Sequence, residues 1–182
     1  MPEETKRRRL SIFDVDQTLV HSYGSLAHAW KTLFEDELSD TNYKKLSRDE
    51  KDRLIHLSYS KFADETHPNP EVIQKLNEAR TSGTHIVIVS GRHEDILGPT
   101  KKLLRRFDIR YDEIMLKPHG IKAYDFKLAK ASEISMRIGP NSTEIYDDLD
   151  YVLDGVHRLL RGSTELKPYI VRNGTPYPYN PI

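Results

Sequence analysis

Three short stretches of this 182-residue chain carry side chains that can do chemistry together: Asp14-Val15-Asp16-Gln17-Thr18, Ser90-Gly91-Arg92 and Asp147-Asp148. Four carboxylates drawn to one point repel, since two unit charges ~4 Å apart cost about 4 kcal/mol at an effective dielectric of about 20. Such a cluster either holds protons or binds a cation. With oxygen donors only, and neither Cys nor a neighbouring His, the expected cation is hard, and Mg2+ is the usual one when the substrate is a phosphate. An Asp can also attack phosphorus and form an aspartyl-phosphate. That route needs a second group to protonate the leaving oxygen and later to activate water. Asp16 fills this role if the loop curls it back towards Asp14. Ser90 and the amides after it could hold phosphoryl oxygens. Arg92 could grip a phosphate with two parallel hydrogen bonds, or pair with Asp95 or another acid. A Lys near a helix start would offset the negative charge of nucleophile and substrate. Lys117 and Lys127 are the candidates, with Lys130 a distant third.

The elements that must bring these residues together are legible. Leu10 to Phe13 is a short, mainly apolar run ending at the first acidic pair, the pattern of a buried strand feeding a loop. Ile86 to Val89 is a β-branched run of the kind buried in parallel sheets, and it ends at Ser90. Further strands are expected around Tyr111 to Leu116, from Thr143 to Tyr146 and from Tyr169 to Arg172. Helices are expected from Asn69, an N-cap followed by Pro70, to a stop at Gly83, and over about 94–106, 125–138 and 150–160. The alternation predicts an α/β fold: a Rossmann-like parallel sheet of about five strands with helices on both faces. Ligands of such sheets sit beyond the carboxyl ends of the strands, where all three stretches fall. Residues 22–66 form a helical, cap-like insertion after the first strand. Leu26, Trp30, Leu33 and Phe34 share one helical face, and Ser47 to Glu50 matches a capping box. The tail from Gly174 to Ile182, with Pro176, Pro178 and Pro181, reads as irregular.

Composition sets the limits. Lys+Arg and Asp+Glu are both 28, so the net charge is zero, which argues against bulk electrostatic coating of nucleic acid. One domain over residues 1–182 is expected. No apolar run approaches the ~20 residues of a membrane helix, and the charged start lacks a secretory apolar stretch, so no membrane partner is expected. Cysteine is absent, which excludes disulfides and thiolate chemistry and fits a reducing compartment. Cytoplasmic placement is the expectation, with the nucleus also open. Lys6-Arg7-Arg8-Arg9 and the basic residues Lys101, Lys102, Arg105 and Arg106 read as solvated faces, although a basic face beside the site would guide a polyanion. The eight His show no metal-ligand spacing.

The motifs resemble the four motifs of the haloacid dehalogenase superfamily, in order, over about residues 9 to 172. These are Asp14-Val15-Asp16-Gln17-Thr18-Leu19, Val89-Ser90-Gly91-Arg92, a Lys before a helix, and Ile145-Tyr146-Asp147-Asp148. The resemblance implies that Asp14 is the nucleophile and that Asp16 is the acid–base typical of phosphohydrolases. It implies Mg2+ held by Asp14, Asp16 through its carbonyl, Asp147 and Asp148. Thr18, Ser90, Gly91 and Arg92 would then serve the phosphate. Within the superfamily, Ser90-Gly91-Arg92 is similar to the phosphatase domain of phage polynucleotide kinase. Leu116-Lys117-Pro118 followed by Asp125-Phe126-Lys127 is similar to the Swiss-army-knife RNA repair phosphatases. That Phe-Lys pair favours Lys127 over Lys117 as the third-motif lysine. The commonest first motif has Gly where this chain has Gln17. The expected substrate is phosphorylated, with DNA or RNA ends as one class and small metabolites or nucleotides as the alternative; a non-catalytic phosphate-binding module is the rival from another class.

Overall fold

The computed structural model describes residues 8–181. In chain order the elements are β1 (Arg9–Phe13), β2 (Val20–His21), α1 (Tyr23–Phe34), α2 (Asp40–Lys45), α3 (Arg48–Lys61), β3 (His67–Pro68) and α4 (Pro70–Thr81), followed by β4 (His85–His93), α5 (Leu97–Arg106), β5 (Glu113–Lys117), α6 (Ala123–Ile138), β6 (Ser142–Asp147), α7 (Asp150–Leu160), β7 (Glu165–Arg172) and β8 (Thr175–Pro178). Single 3-10 turns cover Ala63–Glu65 and Glu94–Ile96.

The main sheet runs β5-β4-β1-β6-β7-β8. Every pair is parallel except the last. Strand order reverses at β1, which lies between β4 and β6 and so creates the crevice where ligands of such sheets bind. Alternate residues of β1 feed two cores. Phe13 packs with Val72, Leu76, Leu103 and Leu104 of α4 and α5 on one face. Leu10 and Ile12 pack with Ile134, Val152, Leu153 and Val156 of α6 and α7 on the other. On the first face Phe13, Tyr146 and Tyr169 stack across adjacent strands with centroid spacings of 4.5 and 4.6 Å, which pins the register of β1, β6 and β7.

The sheet has six strands where about five were expected, because the tail is not irregular. Asn173 and Gly174 both take positive φ, 51° and 82°. This is the two-residue hairpin conformation, and it folds β8 back antiparallel on β7. Pro176 and Pro178 are tolerated because β8 is an edge strand.

Residues 22–66 hold α1, α2 and α3, joined to the sheet through the two-stranded pair β2–β3. Ser47 and Glu50 make both hydrogen bonds of the capping box that starts α3. Trp30, Ala29 and Leu54 form a separate small core with Leu26, Leu33 and Phe34. Trp30 is therefore packing rather than a stacking platform.

Lys6 and Arg7 lie outside the described residues. Arg8 and Arg9 donate to the carbonyls of Ile138 and Ser82, tying the start of β1 to the C-terminal ends of α6 and α4, at the sheet end opposite the strand-end acids. No helix among the described residues is long and apolar enough to cross a membrane.

Candidate active site

The central strand delivers its acid directly into the crevice. The Asp14 amide donates to the Tyr146 carbonyl at 3.0 Å, which continues the β1–β6 ladder one step beyond the strand and fixes the Asp14 backbone. Asp147 ends β6, and Lys127 lies in the second turn of α6. Lys127 Nζ is 2.7 Å from Asp147 Oδ2 and 3.2 Å from Asp14 Oδ1, with all three residues buried. Asp147 Oδ1 accepts from the Leu149 amide at 3.0 Å, so the carboxylate also shapes the turn into α7. Lys127 is thus the lysine beside the acids. Lys117 sits elsewhere in the same cleft, its Nζ beside His93 Nε2.

Burial pushes the Asp14 carboxyl well above its usual range; Lys127 opposes this, and the charges of Asp147, Asp16 and Asp148 add to it. Burial and then Asp147 push Asp148 up to about 6. Burial disfavours the Lys127 ammonium, but Asp14 and Asp147 outweigh it and hold the group charged. This is an excess of carboxylate over cation. Asp14, Asp147 and Asp148 each offer an oxygen, all within 4.8 Å of one another. The all-oxygen set fits a small divalent ion such as Mg2+. An ion there would offset the burial that raises Asp14 and Asp148 and the repulsion that adds to it.

Asp16 is held differently. It accepts from Arg92 Nε at 2.9 Å, Arg92 Nη2 at 2.8 Å and the Tyr59 hydroxyl at 2.7 Å. The Arg92 guanidinium also lies over the Tyr59 ring, 3.6 Å from its centroid. Burial would raise Asp16, but the charge and hydrogen bonds of Arg92 and Tyr59 prevail and lower it. Arg92 therefore does not present its guanidinium to an incoming phosphate. A register shift in β4 between Ser90 and His93 turns it inward, where it is 3 % exposed and spends its planar fork on Asp16. The expected acid partner exists, but it is Asp16 and not Asp95.

Thr18 also departs from expectation. Gln17 adopts the left-handed conformation, φ 57°, the position where a Gly is commonest in the resembling motif. The turn it makes sends Thr18, Leu19 and Val20 into the interior. The Thr18 hydroxyl makes no hydrogen bond among the described residues and does not line the cleft. The Gln17 amide contacts His21 Nδ1 and Ser22 Oγ, both at 3.3 Å.

Ser90 is buried, and its hydroxyl accepts from the Arg92 amide at 3.2 Å. Gly91 lines the cleft, and a Cβ on it would lie 3.0 Å from Ala123 Cβ at the start of α6. Glycine at 91 lets the helix carrying Lys127 approach β4.

The cleft has a volume of about 550 Å3. Asp14, Asp16, Gly91, Lys127 and Asp148 line it, together with Tyr43, Lys51, Asp52 and Ile55 from α2 and α3. Sequence reasoning missed Tyr59 and the group formed by Asp52, His93 and His119, whose ligand atoms also lie within 4.8 Å of one another. The His residues are 26 positions apart and the Asp belongs to the insertion, so no spacing rule could expose the cluster. Lys101, Lys102, Arg105 and Arg106 are exposed on α5, and Arg106 pairs with Asp64.

No family model and no curated protein matches the chain. Solved structures do. A predicted phosphatase from Clostridium acetobutylicum aligns at 15 % identity over 89 % of this chain and 83 % of its own, TM-score 0.64. A haloacid dehalogenase-like hydrolase from Streptococcus pneumoniae aligns at 17 % identity over 89 % and 83 %, TM-score 0.61. A chain of the Pnkp1/Rnl/Hen1 complex aligns at 20 % identity over 94 % of this chain and 47 % of its own, TM-score 0.59. A second structure of that assembly, an RNA repair complex, aligns at 18 % over 91 % and 43 %, TM-score 0.50. The chain has the haloacid dehalogenase-like α/β fold. Its sheet order places Asp14, Lys127, Asp147 and Asp148 together in the crevice of that fold.

Proposed function

We propose that the chain is a phosphomonoesterase that depends on a divalent metal and works through an aspartyl-phosphate on Asp14. The observation that carries this reading is the buried Asp14–Lys127–Asp147 constellation, with Asp148 beside it, at the carboxyl end of the central strand. Asp14, Asp147 and Asp148, with the Asp16 carbonyl, would hold Mg2+, which supplies positive charge for the phosphoryl oxygens. Asp14 attacks phosphorus in line with the leaving oxygen. Lys127 shares the negative charge of nucleophile and phosphoryl group. The amides around Gly91 donate to the phosphoryl oxygens.

Asp16 serves both steps. The lowered Asp16 carboxyl suits the second one, in which a carboxylate takes a proton from water and the phosphate leaves Asp14. Donating a proton to the leaving oxygen in the first step requires Asp16 to leave Arg92 and Tyr59 and to take up a proton from solvent as its pKa rises. Ser90 and Arg92 act as positioning residues, Ser90 on the Arg92 amide and Arg92 on Asp16. The insertion acts as a partial roof through α2 and α3.

Phosphorylated nucleic-acid ends are the preferred substrate class. Support comes from the open lysine-bearing cleft, the Leu116-Lys117-Pro118 and Phe126-Lys127 pattern, and the likeness to the RNA repair chain. Phosphate release from p-nitrophenyl phosphate, with and without Mg2+, tests the activity. We expect metal-dependent release by the wild type and a loss of about a hundredfold or more in Asp14→Asn. Equal, negligible release from both would leave a phosphate-binding module.

A further inference from the structure

The chemistry above leaves Lys117 without a role, although it ends β5 in the same cleft. Its Nζ lies 3.2 Å from His93 Nε2 and 3.4 Å from the Pro118 carbonyl. Lys117 is 7 % exposed, so the ammonium is set in the wall rather than waving in solvent. The neighbours that set it are themselves fixed. Asp52 of α3 is 3.0 Å from His93 Nε2, and His119 Nδ1 is 2.9 Å from His93 Nδ1. His119 Nε2 is in turn 3.5 Å from Asp95.

Asp52, His93 and His119 have the composition of a metal site, but a lysine ammonium 3.2 Å from His93 opposes a cation there. An anion is the better fit. Lys51 and Lys122 line the same cleft, so three lysines besides Lys127 face it, against the single carboxylate of Asp52 outside the reacting cluster. Lys51 also lies over the Tyr43 ring, 5.5 Å from its centroid. A substrate with one phosphate, held at Asp14 and Lys127, would make no use of these charges.

We propose that Lys117, flanked by Lys51 and Lys122, forms a subsite for a second phosphate of the substrate, and that the substrate is a nucleotide carrying two phosphates. This deepens the phosphomonoesterase reading and rests on it. The reacting monoester sits at Asp14. The second phosphate, either the next phosphodiester of a polynucleotide end or the other phosphate of a nucleoside bisphosphate, pairs with Lys117. Tyr43, Ile55 and Ile121 supply an apolar wall for the sugar and base between them.

Binding tests the subsite separately from turnover. Calorimetry on Asp14→Asn in Mg2+ compares adenosine 3′-monophosphate, adenosine 3′,5′-bisphosphate and a 3′-phosphorylated dinucleotide. A charge-assisted contact of about 1.5 kcal/mol or more predicts at least about tenfold tighter binding of the two-phosphate ligands. Adding Lys117→Met should remove most of that preference, and adding Lys117→Arg should keep part of it. If Lys117→Met does not fold, Lys51→Ala and Lys122→Ala, at more exposed positions, should each reduce the preference and flatten its salt dependence. Dinucleotide binding as tight as the bisphosphate assigns the subsite to polynucleotide ends; tight binding of the bisphosphate alone assigns it to free nucleotides. Equal affinity for one- and two-phosphate ligands, or a preference untouched by these substitutions, overturns the subsite. Failure of the wild type to release phosphate from any of the three would instead overturn the phosphomonoesterase reading.

Discussion

Asp14 and Asp16 are two residues apart, yet the structure treats them in opposite ways. Asp14 is buried, is relieved by one lysine and faces three other acids, so its charge is costly until a cation arrives. Asp16 is pulled down by Arg92 and Tyr59 and is a settled carboxylate. Acting as an acid therefore requires Asp16 to come off Arg92 and Tyr59 and take up a proton, and this role predicts a leaving-group effect. A proton from Asp16 matters for an alkoxide but little for p-nitrophenolate, a stable leaving group. Asp16→Asn should therefore lower kcat/KM for a nucleoside 3′-phosphate by about a hundredfold, and by much less for p-nitrophenyl phosphate. Equal losses for the two substrates would contradict proton donation by Asp16 to the leaving oxygen.

A second prediction follows from Asp148, raised to about 6 mainly by burial and then by Asp147. A carboxyl whose folded value is raised binds its proton more tightly when folded. Its contribution to stability is full below the ordinary aspartate value of about 4 and is lost as pH rises through about 6. Mg2+ binds the ionised form and reverses that loss. The rise in Tm on adding Mg2+ should therefore be larger at pH 7.5 than at pH 5. A rise that shrinks with pH would contradict an aspartate-held ion. Of the pairings at this scale, Asp14 with Asp147 was legible because both end apolar strands. Arg92 with Asp16, and Tyr59 with both, were not: they depend on the inward turn of β4 and on where α3 lands.

Elements set the distances that these side chains need. The register shift in β4 turns Arg92 towards Asp16 and pairs His93 with Lys117 on β5. Beside it, Gly91 allows α6 to start 3.0 Å from where a Cβ would stand. Gly91→Ala should push the start of α6 away by a few tenths of an ångström and carry Lys127 with it. Since small misplacements cost heavily in catalysis, kcat should fall about tenfold or more while the protein remains folded by circular dichroism. Unchanged kcat would show that the α6–β4 approach does not set the lysine. Strand and helix patterns were readable wherever apolar periodicity was strong, as in β4 and in α7, which spans Asp150–Leu160 as expected. β8 was missed because its prolines outweighed the Asn173-Gly174 turn pair, the one feature that pointed to a hairpin.

At the scale of the whole molecule, the reversal of strand order at β1 is what makes one site from residues more than a hundred positions apart. β4 and β5 extend the sheet to one side and bring Gly91, His93 and Lys117; β6 extends it to the other and brings Asp147 and Asp148. The insertion rises between β1 and β4 and adds Tyr43, Lys51, Asp52 and Tyr59. The sheet class and crevice followed from alternating strands and helices. The pairing of Asp52 with His93, which ties α3 to the sheet, did not, because tertiary packing alone decides it. A phosphoryl bond to a single Asp14 oxygen can be trapped. The protein is mixed with a substrate carrying a radiolabelled phosphoryl group in Mg2+, quenched in acid within one turnover and digested. Label should appear on the peptide containing Asp14, come off with hydroxylamine, and be absent in Asp14→Asn. Turnover without labelled protein, or label persisting in Asp14→Asn, would rule out an aspartyl-phosphate on Asp14.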